Sequence, residues 1–369
     1  MSKQVQRFDD TLVFPEIKFL LGSEETFRRF LFNIHEDDRI AIIAHNDLDG
    51  LCAGALMEQT LNDMFLFPKV RIFTDYGRKG VFNEVLEQLK VEKIEVVFML
   101  DMNIDNYDPE NFMSLRKGYK TLLIDHHPAN PELKDTSDII KTETYNCAAF
   151  LTYFLARGII NSMEKWALLV CAAMISDASF KRKENAEFIS RIFPGAVPSN
   201  YRESEPGKLC GKVSAGLSLL DAGKVYRMVM DHDLAALTEI EKKVQGDIDR
   251  CVEYYKKYSV YFLANKLHYG VVDPITPRIA SFIANRLSNE QPDDTFIIVC
   301  FDGDQAKVSA RNQSCKVNMN ELMKHGIEGL KEASGGGHAP ASGACFRKKD
   351  LDKFIRAILA EFHGKDNPC

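Results

Sequence analysis

The stretch Leu122-Leu123-Ile124-Asp125-His126-His127-Pro128 is an apolar run that ends in one carboxylate and two imidazoles. The apolar residues predict a β-strand, which the proline helps to terminate. Three adjacent ionisable side chains cannot all be buried without partners, and His and Asp are good ligands for divalent metals. The run therefore fits either a metal site or a solvated turn, and the rest of the chain has to decide between them.

Composition defines the class of protein. The chain has 369 residues, of which 45% are hydrophobic and 27% charged, as expected for a globular protein large enough for two domains. Its net charge of −6 argues against a large basic surface that grips long duplex nucleic acid. The longest apolar run, residues 166–175, is too short to cross a bilayer. The first residues do not form a secretory signal, and the nine cysteines are scattered without C-x-x-C spacing. We expect reduced thiols and a cytoplasmic location.

Strand and helix patterns alternate along the first half of the chain. Apolar strand patterns at residues 40–44, 70–73 and 96–100 precede the run at residues 122–124, with helical spacing between them. Alternation of this kind predicts a parallel sheet with helices on both faces. In such sheets, ligands bind outside the carboxyl ends of the strands.

Polar residues follow three of these strands directly. His45-Asn46-Asp47-Leu48-Asp49-Gly50 follows the first, Asp101 the third, and Asp125-His126-His127 the fourth. Residues two apart in an extended chain point the same way, so we expect His45, Asp47 and Asp49 to face a common centre. So many carboxylates at one edge of a sheet would repel one another unless cations neutralised them. The sequence therefore predicts a site for two divalent ions.

A family resemblance covers most of the chain. The motifs His45-x-Asp47-x-Asp49-Gly50, Asp101, Asp125-His126-His127 and Ile175-Ser176-Asp177 resemble, in order, the four motifs of the DHH phosphoesterase superfamily. Several branches of that family place the leading His four residues before the first Asp, whereas His45 lies two residues before Asp47. Val308-Ser309-Ala310-Arg311 and Gly335-Gly336-Gly337-His338 are similar to the DHHA1 substrate-binding domain of the RecJ-like and nanoRNase-like branch.

The resemblance implies a role for each motif residue. His45 and Asp47 would bind one metal ion, Asp49, His126 and Asp177 would bind the other, and Asp101 would bridge both. His127 would face the substrate phosphate, and Asp125 would support the site from behind the ligands. Oxygen and imidazole ligands without thiolate favour Mn²⁺, with Mg²⁺ or Co²⁺ as alternatives.

The second half of the chain predicts a smaller α/β domain. Apolar residues at three- and four-residue steps over 237–262 predict one long helix that connects the domains and leaves a cleft between them. Strand patterns at 296–301 and 307–311, joined by Asp302-Gly303-Asp304, predict a hairpin. A helix over 319–330, a glycine loop at 334–338, a strand at 344–346 and a helix over 350–362 follow.

The glycine loop is the most informative part of that domain. Consecutive glycines allow backbone N–H groups to converge on a phosphate, and Arg311 and His338 add charge-assisted donors. Isolated glycine-rich turns are more often plain connections, but the upstream metal motifs favour phosphate binding here by Arg311, Gly335, Gly336, Gly337 and His338.

These observations predict an α/β fold in which a parallel-sheet DHH catalytic domain is joined by a long helix to a smaller DHHA1 domain. We expect an N-terminal helical segment (1–37), a catalytic domain (38–233), a linker helix (234–262) and a substrate-binding domain (263–369). The predicted function is a Mn²⁺-dependent two-metal phosphodiesterase that degrades short single-stranded RNA or DNA to 5′-mononucleotides.

Several alternatives use the same site. They are a RecJ-like 5′→3′ exonuclease on single-stranded DNA, a cyclic-dinucleotide phosphodiesterase, a 3′-phosphoadenosine 5′-phosphate phosphatase and, from another class, a non-enzymatic replication or repair scaffold. We expect no membrane partner, and the sequence leaves open a homodimer and a replication or repair partner.

Overall fold

Two units, Met1–Glu239 and Ile240–Cys369, make up the chain in the computed structural model. The structure describes residues 13–74, 81–133, 135–231 and 233–365. The first twelve residues of the predicted N-terminal segment therefore lie outside the described residues.

The first unit is built on a six-stranded sheet with helices between the strands. Its strands are β1 (Phe19–Leu21), β2 (Ile40–His45), β3 (Val70–Thr74), β4 (Val96–Leu100), β5 (Lys120–Asp125) and β6 (Ile139–Thr142). Its helices are α1 (Glu24–Phe32), α2 (Leu48–Asp63), α3 (Val81–Val91), α4 (Ile104–Tyr107), α5 (Pro109–Gly118), α6 (Ala148–Leu155), α7 (Glu164–Ser176), α8 (Lys183–Ile192), α9 (Glu205–Leu219) and α10 (Ala222–Met230). Short 3₁₀ turns lie at Ser179–Lys181 and Pro198–Asn200.

The strand order in this sheet is β1-β6-β5-β4-β2-β3. Strands β2 to β6 are parallel, which confirms the prediction, and the edge strand β1 pairs with β6 antiparallel. Since the chain places β3 on one side of β2 and β4 on the other, the strand order reverses between β2 and β4. In parallel α/β sheets, that reversal opens the crevice in which ligands bind.

The strands of this sheet are apolar because they are buried on both faces. Ile42 and Phe98 pack into a core on one face, together with helix α2. Ile43 and Met99 pack into a second core on the opposite face, against Leu89 of α3. Alternate residues of one strand thus serve two cores, which explains the continuous apolar runs.

The N-terminal segment is not wholly helical. Ser23 caps α1 by accepting a hydrogen bond from the Thr26 N–H, as its position before two glutamates predicts. The strand β1 precedes this helix, however, and extends the sheet at its edge. Three residues carry too short a pattern to predict such a strand from sequence.

The second unit contains another six-stranded sheet. Helix α11 (Leu234–Tyr258) enters it from the first unit, and the boundary at Glu239–Ile240 falls within that helix. The remaining elements are β7 (Val260–Phe262), β8 (Leu267–Val271), α12 (Ala280–Glu290), β9 (Thr295–Asp302), β10 (Gln305–Arg311), α13 (Met319–Gly326), β11 (Ser334–His338), β12 (Ala341–Arg347) and α14 (Leu351–Lys365), with short 3₁₀ turns at Leu263–Asn265 and Lys348–Asp350.

The strand order in the second sheet is β11-β12-β10-β9-β8-β7. Only β8 and β9 are parallel among its described pairs. The predicted hairpin is confirmed, since β9 and β10 pair antiparallel around Gly303, whose φ is +55°. Helices α13 and α14 cover one face of this sheet with Met323 and Phe354.

Three local predictions were wrong. The glycine segment Ser334–His338 is not a loop but the edge strand β11, because its backbone pairs with β12. The predicted linker helix ends at Tyr258, and Val260–Phe262 forms β7 by pairing with β8. The helix predicted over 319–330 ends at Gly326, since glycine there and at position 329 disfavours another turn.

None of the described helices is both long and apolar enough to span a membrane.

Candidate metal centre and active site

The polar strand ends of the first sheet meet at its carboxyl edge, next to the point where the strand order reverses. His45 is the last residue of β2, and Asp101 follows β4 directly. The φ of Asp101 is +58°, in the left-handed region that non-glycine residues rarely adopt. Its N–H donates to the Ile124 carbonyl, which holds this turn against β5. Strain of this kind is concentrated at functional sites.

The first donor group consists of His45, Asp47 and Asp101, whose ligand atoms all lie within 4.8 Å of one another. His45 Nδ1 lies 2.9 Å from Asp47 Oδ2 and 3.5 Å from Asp101 Oδ2. Burial lowers the pKa of His45, but its hydrogen bonds to Asp101 and Asp47 outweigh burial and raise that pKa to about 11. This group can hold a cation in place of the imidazole proton.

The turn after β2 explains the acidic and glycine positions of the motif. Asp47 caps α2, and its Oδ1 accepts the Gly50 N–H at 2.9 Å. A Cβ at Gly50 would lie 2.4 Å from the His45 carbonyl oxygen. Glycine is therefore required for the helix to start this close to the strand end.

The second donor group consists of Asp49, His126 and Asp177, again within 4.8 Å. His126 Nδ1 donates to the Thr144 carbonyl at 2.9 Å, so Nε2 is the nitrogen available as a ligand. That Nε2 lies 3.3 Å from Asp101 Oδ1 and 3.8 Å from Asp49 Oδ2. Asp101 therefore lies next to both donor groups.

The position of Asp49 in this group differs from the one predicted from sequence. It belongs to the first turn of α2 rather than to an extended segment, so the expectation that His45, Asp47 and Asp49 face one centre by strand alternation was wrong. Its two carboxylate oxygens accept the N–H groups of Ala148 and Ala149, at 2.7 and 2.8 Å. These donors begin α6, so one carboxylate both caps a helix and faces the second donor group.

Like charges crowd the second group. Burial, followed by the charges of Asp101 and Asp177, raises the pKa of Asp49 well above its ordinary range. Burial also raises the pKa of Asp177, to about 6. Among the described residues, the buried Oδ1 of Asp101 accepts no well-aligned hydrogen bond. Crowded carboxylates with two imidazoles and no thiolate form a donor set that fits divalent metal ions.

Asp125 and His127 lie beside the donor groups, and their ligand atoms are within 4.8 Å of those of Asp101 and His126. His127 Nδ1 donates to Asp125 Oδ1 at 2.8 Å. Asp125 is fully buried; burial would raise its pKa, but the hydrogen bond from His127 and the charge of Lys141 together lower it below the ordinary range. Asp125 is therefore a carboxylate that holds His127 in place.

Two further residues of this region were missed by sequence reasoning. Lys141 in β6 and Asp105 in α4 are fully buried, and their side chains pair at 2.7 Å. The lysine that directly follows Ile139 and Ile140 in this strand was the available signal, because lysine is almost never fully buried unless it is paired.

The predicted phosphate-binding residues lie together within the second unit. A cavity of about 670 Å³ is lined by Arg311, Gly336, Gly337 and His338, whereas Gly335 is not among its lining residues. The Arg311 guanidinium donates to the Ala310 carbonyl at 2.9 Å, and burial lowers its pKa. No carboxylate pairs with Arg311 among the described residues, since Asp302 in the cavity wall pairs with Lys307. Arg311 is thus a half-buried cation that faces this cavity without an ion-pair partner.

Comparison with known proteins gives the family. Residues 39–174 match the family profile "DHH family, N-terminal domain", and residues 264–364 match the "DHHA1 domain" profile. No curated protein sequence matches the chain significantly.

Solved structures show the same fold. An exonuclease RecJ bound to manganese has a TM-score of 0.70 at 15% identity, covering 95% of this chain and 96% of that chain. RecJ of Thermus thermophilus in complex with Mn²⁺ also gives 0.70 at 15% identity; the match covers 98% of this chain but only 57% of that longer protein. An exopolyphosphatase-related protein of Bacteroides fragilis gives 0.58 at 16% identity, covering 93% and 97% of the two chains.

The two matched profiles lie in the expected order, and each falls on one unit of the fold. The resemblance seen in the sequence and the predicted fold class are confirmed. The chain belongs to the DHH/DHHA1 phosphoesterase superfamily and is a hydrolase that acts on phosphodiester bonds.

Proposed function

We propose that the chain is a Mn²⁺-dependent exonuclease that uses two metal ions to degrade short single-stranded oligonucleotides to 5′-mononucleotides. The observation that carries this proposal is the placement of Asp101 between two donor groups, one with His45 and Asp47 and the other with His126 and Asp49. A carboxylate shared in this way suits a pair of ions better than a single ion.

The donor chemistry supports manganese. His45 and Asp47 would hold one ion, Asp49, His126 and Asp177 the other, and Asp101 both. Imidazole ligands in each group favour Mn²⁺ over Mg²⁺, which prefers oxygen ligands alone, while Co²⁺ would also fit. When bound, a pair of divalent ions activates water as a nucleophile and neutralises charge on the phosphate.

The chain's own residues would orient the substrate and transfer a proton. Asp125 accepts the Nδ1–H of His127, so Nε2 is the nitrogen of His127 that would face the phosphate. We infer that Nε2 either donates a hydrogen bond to a phosphate oxygen or delivers a proton to the leaving oxygen. Both roles require a fixed imidazole, which the Asp125 contact provides.

The second unit would bind another part of the substrate. Arg311 pairs with no carboxylate of the described residues, and it lies beside the Gly336–Gly337 backbone and His338. Together these groups offer donors for a phosphate in the 670 Å³ cavity. A cavity of that volume is in the range of small-ligand sites. The net charge of −6 also favours short substrates, since affinity for long polymers depends largely on phosphate neutralisation.

Other phosphodiester substrates are alternatives to short oligonucleotides. The likeness to exonuclease RecJ supports a RecJ-like 5′→3′ exonuclease on single-stranded DNA as the second candidate, because the fold matches over 96% of that exonuclease chain. Cyclic dinucleotides and 3′-phosphoadenosine 5′-phosphate are the further alternatives. We also propose a cytoplasmic location, in keeping with the free thiols of the eight described cysteines.

The deciding experiment offers the purified protein RNA and DNA oligomers of graded length, labelled at either end, with Mn²⁺, Mg²⁺ or Co²⁺. Cyclic dinucleotides and 3′-phosphoadenosine 5′-phosphate are tested in parallel. We expect Mn²⁺-dependent release of 5′-mononucleotides, fastest from the shortest oligomers, and the position of the label gives the polarity.

The Asp101→Asn variant controls for a contaminating nuclease. Turnover confined to cyclic dinucleotides or to 3′-phosphoadenosine 5′-phosphate would overturn the oligonucleotide assignment. Preference for long single-stranded DNA over short oligomers would select the RecJ-like alternative.

A further inference from the structure

We propose that Lys141 is a positioning residue for the reaction, because it fixes the Asp125 carboxylate that orients His127. The proposal rests on the function proposed above, in which His127 faces the phosphate. It extends the site to a residue outside all four sequence motifs.

Lys141 lies in β6, beside the strand that carries Asp125, and its side chain is fully buried. Its Nζ lies 2.9 Å from Asp125 Oδ2 and 2.7 Å from Asp105 Oδ1. The same ammonium lies 3.2 Å from the Pro128 carbonyl oxygen, to which it donates. The contacts with Asp105 and Pro128 are hydrogen bonds, whereas the contact with Asp125 is an ion pair without hydrogen-bond alignment. Three oxygens around one ammonium leave this lysine little freedom to move.

The contacts of Asp125 divide between its two oxygens. Oδ2 faces Lys141, and Oδ1 accepts the hydrogen bond from His127 Nδ1. Because a carboxylate beside an ammonium is an acceptor only, the Nδ1 of His127 must carry the proton of that bond. Lys141 thereby keeps the proton of His127 on Nδ1, the nitrogen that faces Asp125.

The same lysine also holds the segment that follows the DHH motif. Asp105 receives the Asn130 N–H at 3.0 Å, and its carbonyl receives the Asn130 amide at 2.6 Å. With the Pro128 carbonyl also bound to Lys141, the backbone on the far side of His127 is tied to the same cluster. His127 is therefore fixed through its ring by Asp125 and through its backbone neighbours by Lys141 and Asp105.

A purely structural role makes a different prediction. Buried ion pairs contribute little net stability, but removing one partner leaves an uncompensated charge and is strongly destabilising. The substitution Lys141→Met alone would leave two buried carboxylates and lower stability under either explanation. A second substitution that removes one of those charges separates the two roles.

The test compares wild type, Asp105→Asn and the pair Lys141→Met/Asp105→Asn, with thermal unfolding, Mn²⁺ affinity and steady-state kinetics on a short oligonucleotide. In the double variant, Asp125 keeps only its His127 partner. We expect it to fold and to bind Mn²⁺ like wild type, with kcat lower by about 10- to 100-fold, the usual loss when support behind a site is removed. We expect KM to be unchanged and Asp105→Asn to keep most of the activity.

A readout that does not depend on turnover accompanies the kinetics. Nitrogen NMR of ¹⁵N-histidine-labelled protein reports the tautomer of His127, whose signal is assigned by its loss in His127→Gln. We expect one fixed Nδ1–H tautomer in wild type and exchange between tautomers in the double variant.

Wild-type kcat together with an unchanged His127 signal in the folded double variant would overturn the proposal. If the methionine pair does not fold, Lys141→Leu/Asp105→Asn is used under the same criteria, since leucine likewise cannot contact Asp125 through a donor. If the wild-type protein cleaves no oligonucleotide, the proposed function is refuted. If the double variant nevertheless shows the tautomer change of His127, the positioning of His127 by Lys141 is still supported.

Discussion

Asp101 Oδ1 lies 3.3 Å from His126 Nε2, across the boundary between the two donor groups. The other oxygen of the same carboxylate lies 3.5 Å from His45 Nδ1. The left-handed backbone of Asp101 turns its side chain into this position directly after β4. One carboxylate therefore couples the two halves of the site, and its loss should affect both.

We predict that Asp101→Asn removes catalysis and tight Mn²⁺ binding together. The amide keeps the size of the side chain but loses the charge and one acceptor, so kcat/KM should fall by more than about 100-fold, beyond the loss typical of a residue behind a ligand. Calorimetric Mn²⁺ titration and oligonucleotide turnover measure the two effects. Asp135→Asn, at a carboxylate that is 71% exposed, is the control. Normal turnover by Asp101→Asn would contradict the two-metal assignment.

A second prediction concerns the two roles of Asp49. Its carboxylate accepts two buried N–H groups, from Ala148 and Ala149, so Asp49→Ala leaves both donors without a partner. In metal-free protein we expect Asp49→Ala to be less stable than Asp49→Asn by about 1–3 kcal/mol, because the amide oxygen can still accept one of the two N–H groups. Urea unfolding with a chelator measures this difference. Equal free energies of unfolding for the two variants would show that the capping contacts are unimportant.

The cluster itself could be predicted from sequence, whereas its internal arrangement could not. Strand patterns and the rule on carboxyl ends were sufficient to bring Asp101 and His126 to one edge of a sheet. The helical position of Asp49 depends on the cap formed by Asp47, which extended-chain reasoning ignores. Lys141 escaped detection because its partners are distant in sequence, with Asp105 36 residues away.

The prediction of a loop at the glycine segment was wrong for a different reason. Gly335–Gly337 reads as a loop because glycine is depleted in strands, where it has no side chain to pack. Here the backbone of β12 pairs with this segment along its whole length. Tertiary pairing thus outweighed local preference, which no window of sequence around the glycines could have shown.

The third prediction is that metal binding releases protons at neutral pH. Despite the opposing effect of burial, the adjacent Asp101 carboxylate and the charges of Asp49 and Asp177 raise the pKa of His126 from 6.5 to about 11. The metal-free site therefore holds protons that a ligand imidazole must lose. Mn²⁺ affinity should therefore increase with pH. Calorimetry in buffers of different ionisation enthalpy counts the protons, and His126→Gln should release fewer. Binding without proton release would contradict the assignment.

The same shift has a consequence for stability. A pKa that is higher in the folded state stabilises the protein fully below pH 6.5, and this contribution is lost as the pH rises toward 11. Metal-free protein should accordingly lose thermal stability above pH 6.5, while the Tm increase caused by Mn²⁺ should grow over the same range. A Tm increase that does not change with pH would argue against protonated histidines in the metal-free site.

The fourth prediction concerns Arg311 in the cavity of the second unit. Since its guanidinium has no carboxylate partner among the described residues, Arg311→Ala should weaken substrate binding by roughly 10- to 100-fold, the value of a hydrogen bond to a charged group. We expect a higher KM with a smaller change in kcat. Arg347→Ala, which removes a guanidinium already paired with Glu332, is the matched control. An unchanged KM for Arg311→Ala would remove this cavity from the substrate path.

The last prediction distinguishes two adjacent glycines of β11. Gly337 has a φ of +150°, and a Cβ there would lie 2.5 Å from the Ala341 carbonyl oxygen, which is backbone and cannot move aside. Gly337→Ala should therefore destabilise the protein by about 1–3 kcal/mol and raise KM by displacing the wall of the cavity. At Gly336, the nearest atom to a new Cβ is Asn320 Oδ1 at 3.9 Å, so Gly336→Ala should change stability by less than about 0.5 kcal/mol. Urea unfolding and KM on a short oligonucleotide measure both variants. Equal changes in the free energy of unfolding and in KM at the two positions would mean that the strained backbone of Gly337 does not shape the site. The expected difference would show that position 337 requires glycine for its backbone conformation.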